Sequence, residues 1–310
     1  MKELSHTLRS FRKYPAFSVI NLGGLSIGIA ASFILLIYSR RELNCDRHFR
    51  DADRIARIGT DFFNMGPFAV SQPQLPALLQ ASCKDVEYTT SITDVSETPI
   101  RTGAQERAFT GIRPYYIDGS FFKVFSYKAS RGFLPAAGLA PGETVVSASN
   151  ARKLFGKEDP IGRTLLVGKE MKPYKVVAVL EEEFNRSHLD AQLLLPQPAA
   201  TNSNLANWMS AAQYNYVKLK PQGSLKGLHT WLETLREKLI YPASGATTSY
   251  TSWAASNMAV SFIVQPLTDI HFDADMKFDI TPGAISPRSG CSARSASSSS
   301  PWPSSTISTS

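Results

Sequence analysis

The sequence predicts an α+β protein, with one membrane-spanning helix followed by a mixed domain of short strands and amphipathic helices. Three observations carry that expectation. Residues 14–39, YPAFSVINLGGLSIGIAASFILLIYS, contain no charged side chain. Behind them, short apolar–polar alternations are punctuated by turn residues, with stretches of helical spacing among them. The hydrophobic content of the 310 residues, 43%, is that of a folded chain and excludes global disorder.

The first element is a short surface helix over residues 1–15. Leu4, Leu8 and Phe11 recur at i, i+4, i+7 among Lys2, Arg9, Arg12 and Lys13, the pattern of a helix lying on a membrane. Pro15 marks the turn into the span. The spanning helix follows over 16–39. Twelve Phe, Val, Ile or Leu lie between Phe17 and Tyr38. Near the bilayer centre they contribute about −4 to −7 kcal/mol, against which Asn21 and the serines weigh little. A cleaved signal sequence fits less well: the apolar stretch exceeds the usual core of about 7–15 residues, and no small-residue cleavage site precedes Arg40 and Arg41. Gly24, Gly28 and Ser32 fall at i, i+4, i+8 and form a small-residue stripe, a helix-packing face in lipid that calls for partner helices.

The net charge of +7 raises nucleic acid as a partner, and its distribution argues against one. Residues 1–57 hold ten Lys/Arg against five Asp/Glu, whereas residues 58–282 hold twenty-one of each. A basic excess beside an apolar segment suits membrane lipid, and a neutral domain offers no nucleic-acid footprint.

Residues 40–282 form the main domain. ADRIARI (52–58) leads in, and a helix runs from about 74 to 82. Strands follow at TTSITDVS (89–96), RAFTGIRPYYI (107–117) and ETVVSAS (143–149). NARKLFG (150–156) is a helix with a glycine stop, and TLLV (164–167) and YKVVAVL (174–180) are strands. SLKGLHTWLETLREKL (224–239) is the clearest amphipathic helix: Leu225, Leu228, Leu232, Leu235 and Leu239 share a face, and Ser224 caps it. MAVSFIVQPLTDI (258–270) closes the series as a strand.

Catalytic patterns are missing. GKEDPIGRT (156–164) has five residues between Gly156 and Gly162 and Arg163 where a phosphate loop needs lysine, so it reads as a turn. His271 with Asp269, Asp273 and Asp275 alternates along a possible strand and reads as a solvated acidic face rather than a metal site. Glu181, Glu182 and Glu183 read as a solvated turn, and Asn185-Arg186-Ser187 matches a glycosylation triplet that chance also supplies. Cys45, Cys83 and Cys291 show no metal-ligand spacing; their odd number gives no disulfide framework, and at most one pair can form.

Several blocks together carry a resemblance. NLGGLSIGIA in the span and RELNCDRHFRDADRIARI (41–58) are followed by DGSFFKVFSY (118–127), VVSASNARKLFGKEDPIGRTL (145–165), YKVVAVLEE (174–182), NRSHL (185–189) and QPLTDIHFDAD (265–275). In this order they resemble the MacB/FtsX-type permease subunits of bacterial ABC transporters, in the branch with a long periplasmic loop. Cys45 stands where that family more usually has an aromatic residue. The resemblance implies two interleaved α+β subdomains in the periplasm and an N-terminus in the cytoplasm, at the bacterial inner membrane. It implies a dimer with a second permease copy, a separate cytoplasmic ABC ATPase subunit, and contact with a periplasmic adaptor or substrate protein. No catalytic residue and no cofactor carry over. The scaffold residues it points to are Phe121, Phe122, Phe155, Pro160, Ile161 and Gly162, as core and turns.

The last residues differ in kind. Twelve of the final twenty-five are serine, and residues 283–310 read as a disordered Ser/Pro-rich tail. The resemblance calls for three further spanning helices after the domain, the first beginning here. Most serine codons are TCN; read one nucleotide earlier, each yields Phe, Leu, Ile or Val. The expectation is a frameshift between about Thr281 and Ser289 that truncates the permease and leaves it unable to transport alone. The functional alternative is a single-pass anchored sensor or binding module.

Overall fold

The computed structural model describes residues 15–280, apart from 63–64, 104–107, 182–186, 199–207, 209, 257–258 and 274. The surface helix expected over 1–15 and the tail from 283 onward therefore lie outside the described residues, as do Cys291 and most of the 181–183 and 185–187 motifs.

Helix α1 runs Pro15–Leu43, with proline at its first position, where a missing N–H costs nothing. Its stretch Val19–Arg40 has a mean hydropathy of 2.1 and buries none of its surface inside the molecule. Those 22 residues extend about 33 Å, enough for the hydrocarbon core. A turn over 44–51 and a 3-10 turn Ala52–Arg54 lead into β1, Ile55–Phe62.

The remaining elements are β2 Pro67–Phe68, α2 Leu75–Ser82, β3 Val86–Asp94, β4 Ile100–Thr102, β5 Pro114–Ile117, α3 Phe121–Val124, β6 Ala129–Gly132 and β7 Glu143–Ser147. Then come α4 Ala148–Phe155, β8 Thr164–Val167, β9 Lys172–Leu180, β10 Leu193–Pro196, β11 Tyr214–Leu219 and α5 Leu225–Leu235. A π-turn Arg236–Ile240, α6 Tyr241–Ala243, α7 Tyr250–Ala254, β12 Val260–Pro266 and α8 Leu267–Ile270 complete the series.

The strands join one twelve-stranded sheet in the order β12-β1-β11-β3-β5-β10-β7-β9-β8-β4, with β2 beside β1 and β6 beside β9. Residues 100–196 form the second half of this sheet and are inserted between β3 and β11 of the first. The halves meet where β3 pairs antiparallel with β5, Ile92 opposite Ile117. Asp118 fixes that corner, accepting from Thr90 Oγ1 (2.7 Å) and from the Ser91 and Ser120 amides (2.8 and 2.9 Å).

Each half has its own apolar core. In the first, α2, α5 and α7 cover the sheet with Leu79, Leu228, Leu232 and Trp253. In the second, α4 packs Ala151 and Leu154 against Leu165, Val176 and Leu193. A third cluster spans both halves and takes Phe49 from the turn behind α1, Phe121 and Phe125 from the corner, Tyr216 from β11, and Met276 and Ile280 from the last described segment.

Ser147 and Ser224 cap α4 and α5, their hydroxyls accepting from the Asn150 and Gly227 amides. Several expectations are corrected. Of the strand expected over 107–117 only Pro114–Ile117 forms, and the strand expected over 143–149 ends at Ser147, because α4 already begins at Ala148. The expected strand over 258–270 ends at Pro266, which has no N–H to continue the ladder, and the chain turns into α8. His271, Asp273 and Asp275 therefore do not alternate along a strand. On the second helix, Leu239 is 42% exposed although the spacing puts it on the buried face. The π-turn inserts one extra residue per turn, so Ile240 takes the inward place. Sequence reading also passed over β11, every residue of which is buried.

Candidate functional site

The joint between α1 and the domain is where buried charge concentrates. Glu42, in the last turn of α1, sets its Oε2 2.5 Å from His271 Nε2, just after α8; both side chains are largely buried. Four residues on, Asp46 adopts a left-handed backbone with φ 61°, a conformation aspartate tolerates better than most residues. Its carboxylate is fully buried. It accepts from Ser187 Oγ (2.7 Å) and the His188 amide (3.2 Å), and faces His188 Nδ1 at 2.9 Å. Cys45 Sγ also lies 3.5 Å from its Oδ2.

The polar chain continues inward. His188 Nε2 lies 2.8 Å from the Tyr216 hydroxyl on β11. The positive charge of the Arg57 guanidinium on β1 acts on that hydroxyl. Arg57, 0% exposed, forks onto Asp279 at 2.6 and 2.8 Å and donates to Gln265 Oε1 at 2.7 and 3.1 Å. Gln265 then donates to Asp273 at 2.8 Å. Two buried polar groups thus lie at the joint: Asp46, Ser187, His188 and Tyr216 tie the turn after the spanning helix to the inserted half and β11, and Arg57, Gln265, Asp273 and Asp279 tie β1 and β12 to the last described segment.

Apolar contacts back it up. Phe49 meets Phe125 and Tyr127 edge-on at 5.3 and 5.0 Å, and the Arg50 amide donates to Ser126 Oγ at 2.7 Å. Asp51, also left-handed, pairs with Arg54 (2.7 Å) and Lys218 (2.8 Å).

Burial raises the Asp46 carboxyl, and attraction to His188 with hydrogen bonds from His188 and Ser187 more than offsets it, leaving Asp46 below the ordinary carboxylate value. Hydrogen bonds from Arg54 and Lys218 bring Asp51 down to about 2. Burial pushes the Tyr216 hydroxyl far up, so it stays protonated. Arg57 is raised because Asp279 and Tyr216 outweigh its burial.

Asp46, His188 and Tyr216 are ordered like an acid–base–hydroxyl relay, but His188 is 1% and Tyr216 0% exposed, so no substrate reaches them. Among the described residues no group of three His, Cys, Asp or Glu is placed to hold a metal. A buried charge that loses its partner is costly, so the network resists any motion of α1 that the domain does not follow.

The residues singled out from sequence scatter around this joint. Gly24, Gly28 and Ser32 line an open groove on α1, with Ser32 Oγ donating to the Gly28 carbonyl at 2.8 Å. Phe121 is buried in the shared core, and Phe122 packs against it. Phe155 packs on the second-half core, and Pro160 is buried. Ile161 is 36% exposed and lies over Gly132 rather than in the core, and Gly162 turns the chain at φ 80°. Cys45 and Cys83 are both buried free thiols, and Cys83 sits in the first-half core. Sequence reading missed Glu42, Asp46, Arg57, His188 and Tyr216. Polar residues inside apolar segments (Arg57 in IARIGTDF, Tyr216 in YNYVKL) were the available signal.

An apolar helix joined by a buried Glu42–His271 pair to an inserted α+β sheet defines a membrane-anchored α+β domain. The MacB-like periplasmic core domain family matches residues 18–235, and the chain belongs to that family. A solved domain of a protein designated a permease from Porphyromonas gingivalis shares its fold, with TM-score 0.56 at 19% identity over 70% of this chain and 92% of that one. The periplasmic region of MacB from Actinobacillus actinomycetemcomitans gives TM-score 0.45 at 16% identity, covering 74% of this chain and 94% of that one. The extracellular domain of the noncanonic ABC-type transporter YknZ from Gram-positive bacteria gives 0.41 at 13%, covering 67% and 99%. Comparison with curated proteins found no significant match.

Proposed function

We propose that the chain is a permease subunit of an ABC-type exporter or mechanotransmission complex. It anchors in the bacterial inner membrane with its N-terminus in the cytoplasm and its domain in the periplasm. A separate cytoplasmic ATPase hydrolyses ATP, and the chain, paired with a second copy, carries the resulting movement outward. Family membership supports this reading, and the observation that carries it is the Glu42–His271 pair. That contact closes the domain's first and last segments onto the end of the spanning helix, so displacement of the helix must displace the domain.

The test is co-purification. The full chain is extracted from bacterial membranes with mild detergent, and retained proteins are identified by mass spectrometry. Recovery of an ABC ATPase supports the reading. Recovery of the chain alone, or its release from cells without detergent, overturns it in favour of an anchored binding module or a soluble protein.

A further inference from the structure

The turns that follow the span sort their charges by sign. Glu42 and Asp46 point into the domain and are buried, Glu42 on His271 and Asp46 on Ser187 and the His188 amide. Asp51 is taken up by Arg54 and Lys218. Arg40, Arg47 and Arg50, from the same stretch, are exposed. Among the described residues none of these three arginines has an ion pair. Arg47 donates from Nε to the Leu43 carbonyl at 3.1 Å, which folds its guanidinium back onto the end of α1. Of the acids in residues 40–54, only Asp53 is exposed.

The helix sets the depth of these cations. Its apolar stretch ends at Arg40, and Tyr38 and Leu43 on either side of that point are exposed. A tyrosine at the end of an apolar span marks the boundary between hydrocarbon and headgroups. From Arg40 to Leu43 the helix rises about 4.5 Å, inside a headgroup layer about 5–8 Å deep. Arg47, folded back onto the Leu43 carbonyl, reaches the same layer. The anion abundant at that depth is phosphate. A guanidinium gives two parallel N–H groups to phosphate oxygens, and a bound anion relieves the repulsion among like charges held close together.

We propose that Arg40, Arg47 and Arg50 form a collar that binds the phosphate of anionic phospholipid headgroups in the leaflet facing the domain. Three cations stand against one exposed carboxylate, so a headgroup of net negative charge fits better than a zwitterionic one, whose amine finds no free acid here. The lipid seats the junction turn on the membrane at the level of the Glu42–His271 pair. The collar requires only that α1 spans the membrane, and it is independent of which ATPase the chain engages.

Binding of acyl-labelled phosphatidylglycerol and phosphatidylcholine to the full chain in neutral-detergent micelles, read by fluorescence anisotropy, tests it. Lys2, Arg9, Arg12 and Lys13 are replaced by Gln throughout, so that cations at the other end of the span do not contribute. This chain should bind phosphatidylglycerol about tenfold or more tightly than phosphatidylcholine. Arg40→Gln and Arg50→Gln should each weaken that binding about fivefold, the effect of one cation near the surface. Their side chains hold no hydrogen bond or ion pair among the described residues, so they cover the case in which the triple substitution with Arg47→Gln fails to fold. The triple substitution should remove the preference. Equal binding of the two lipids overturns the collar, as does a preference that survives the triple substitution. Displacement of the lipid by sodium phosphate, at an ionic strength where sodium chloride leaves it bound, assigns the site to free phosphate and overturns the lipid. Release of the chain from cells without detergent fails earlier, since it removes the anchor itself.

Discussion

Glu42 Oε2 and His271 Nε2 lie 2.5 Å apart across 229 positions of sequence. One side chain belongs to the helix that carries the apolar span, the other to the segment that closes the domain. Local preference cannot create such a contact. It exists because β1 and β12 pair along their whole length, Ala56 opposite Pro266, which brings the start and end of the domain to one place.

Breaking this pair should cost stability cooperatively. Glu42→Ala and His271→Ala each remove one side of this buried contact, at about 1–3 kcal/mol. The double substitution loses the contact only once, so its cost should fall short of the sum. Urea unfolding of the four proteins, followed by tryptophan fluorescence, measures the coupling. Simple additivity would mean that the contact contributes nothing.

The local elements were legible in the sequence, and the joint was not. Ser224 announced its helix because a capping hydroxyl acts within three residues. TLLV was read to the residue because its strand is bounded by Gly162-Arg163 and Gly168. The joint depends on pairings such as Asp46 with His188, 142 positions apart, and on Arg57 lying buried among the apolar residues that open β1. Each looks like an ordinary surface charge until the sheet is assembled. β11 escaped for the same reason: Asn215 and Lys218 interrupt its apolar run, and only the fold supplies Ser91, Ser71 and Asp51 to satisfy them.

Acid should destabilise the domain partly through Asp46. Its folded carboxyl lies below the ordinary value, so the unfolded chain binds the proton more tightly. The contribution is complete above the unfolded value, about pH 4, and is lost as pH falls through the lower folded value. Asp46→Asn keeps the left-handed backbone and removes the charge. It should lower stability at neutral pH by about 1–3 kcal/mol and make the acid limb shallower. Urea midpoints measured from neutral pH down to about pH 3 distinguish this from an unchanged acid limb, which would exclude Asp46 as a contributor.

The groove on α1 should matter in the membrane and not for the domain. A Cβ on Gly24 or Gly28 meets nothing within 4 Å in the molecule, so Gly28→Ile leaves the fold intact. In lipid the added bulk should weaken helix association by about 1 kcal/mol or more. Energy transfer between labelled helices in vesicles reads this out. Association unchanged by the substitution would mean that another face of the helix makes the contact.

The coding DNA decides the reading of residues 291–310. Read one nucleotide earlier, the serine codons should give a run of Phe, Leu, Ile and Val long enough to begin a spanning helix. Serine codons of the AGY type throughout, or no apolar frame beneath them, would leave a genuine Ser/Pro-rich segment.

The π-turn gives the sharpest contrast between pattern and structure. Helical spacing from Leu228, Leu232 and Leu235 selects Leu239 as the next buried position, whereas the extra residue in the turn hands that role to Ile240, which is 2% exposed. Arg236 sits in the same turn, with its guanidinium over Trp253 and a hydrogen bond to the Ala254 carbonyl at 3.0 Å, so α7 holds the wound backbone in place. Ile240→Ala should therefore cost about 2–5 kcal/mol by opening a cavity against the first-half core. Leu239→Ala should stay within about 0.5 kcal/mol, as at other exposed sites. Thermal unfolding of the two variants ranks them, and the reverse order would mean that the helix continues without the π-turn.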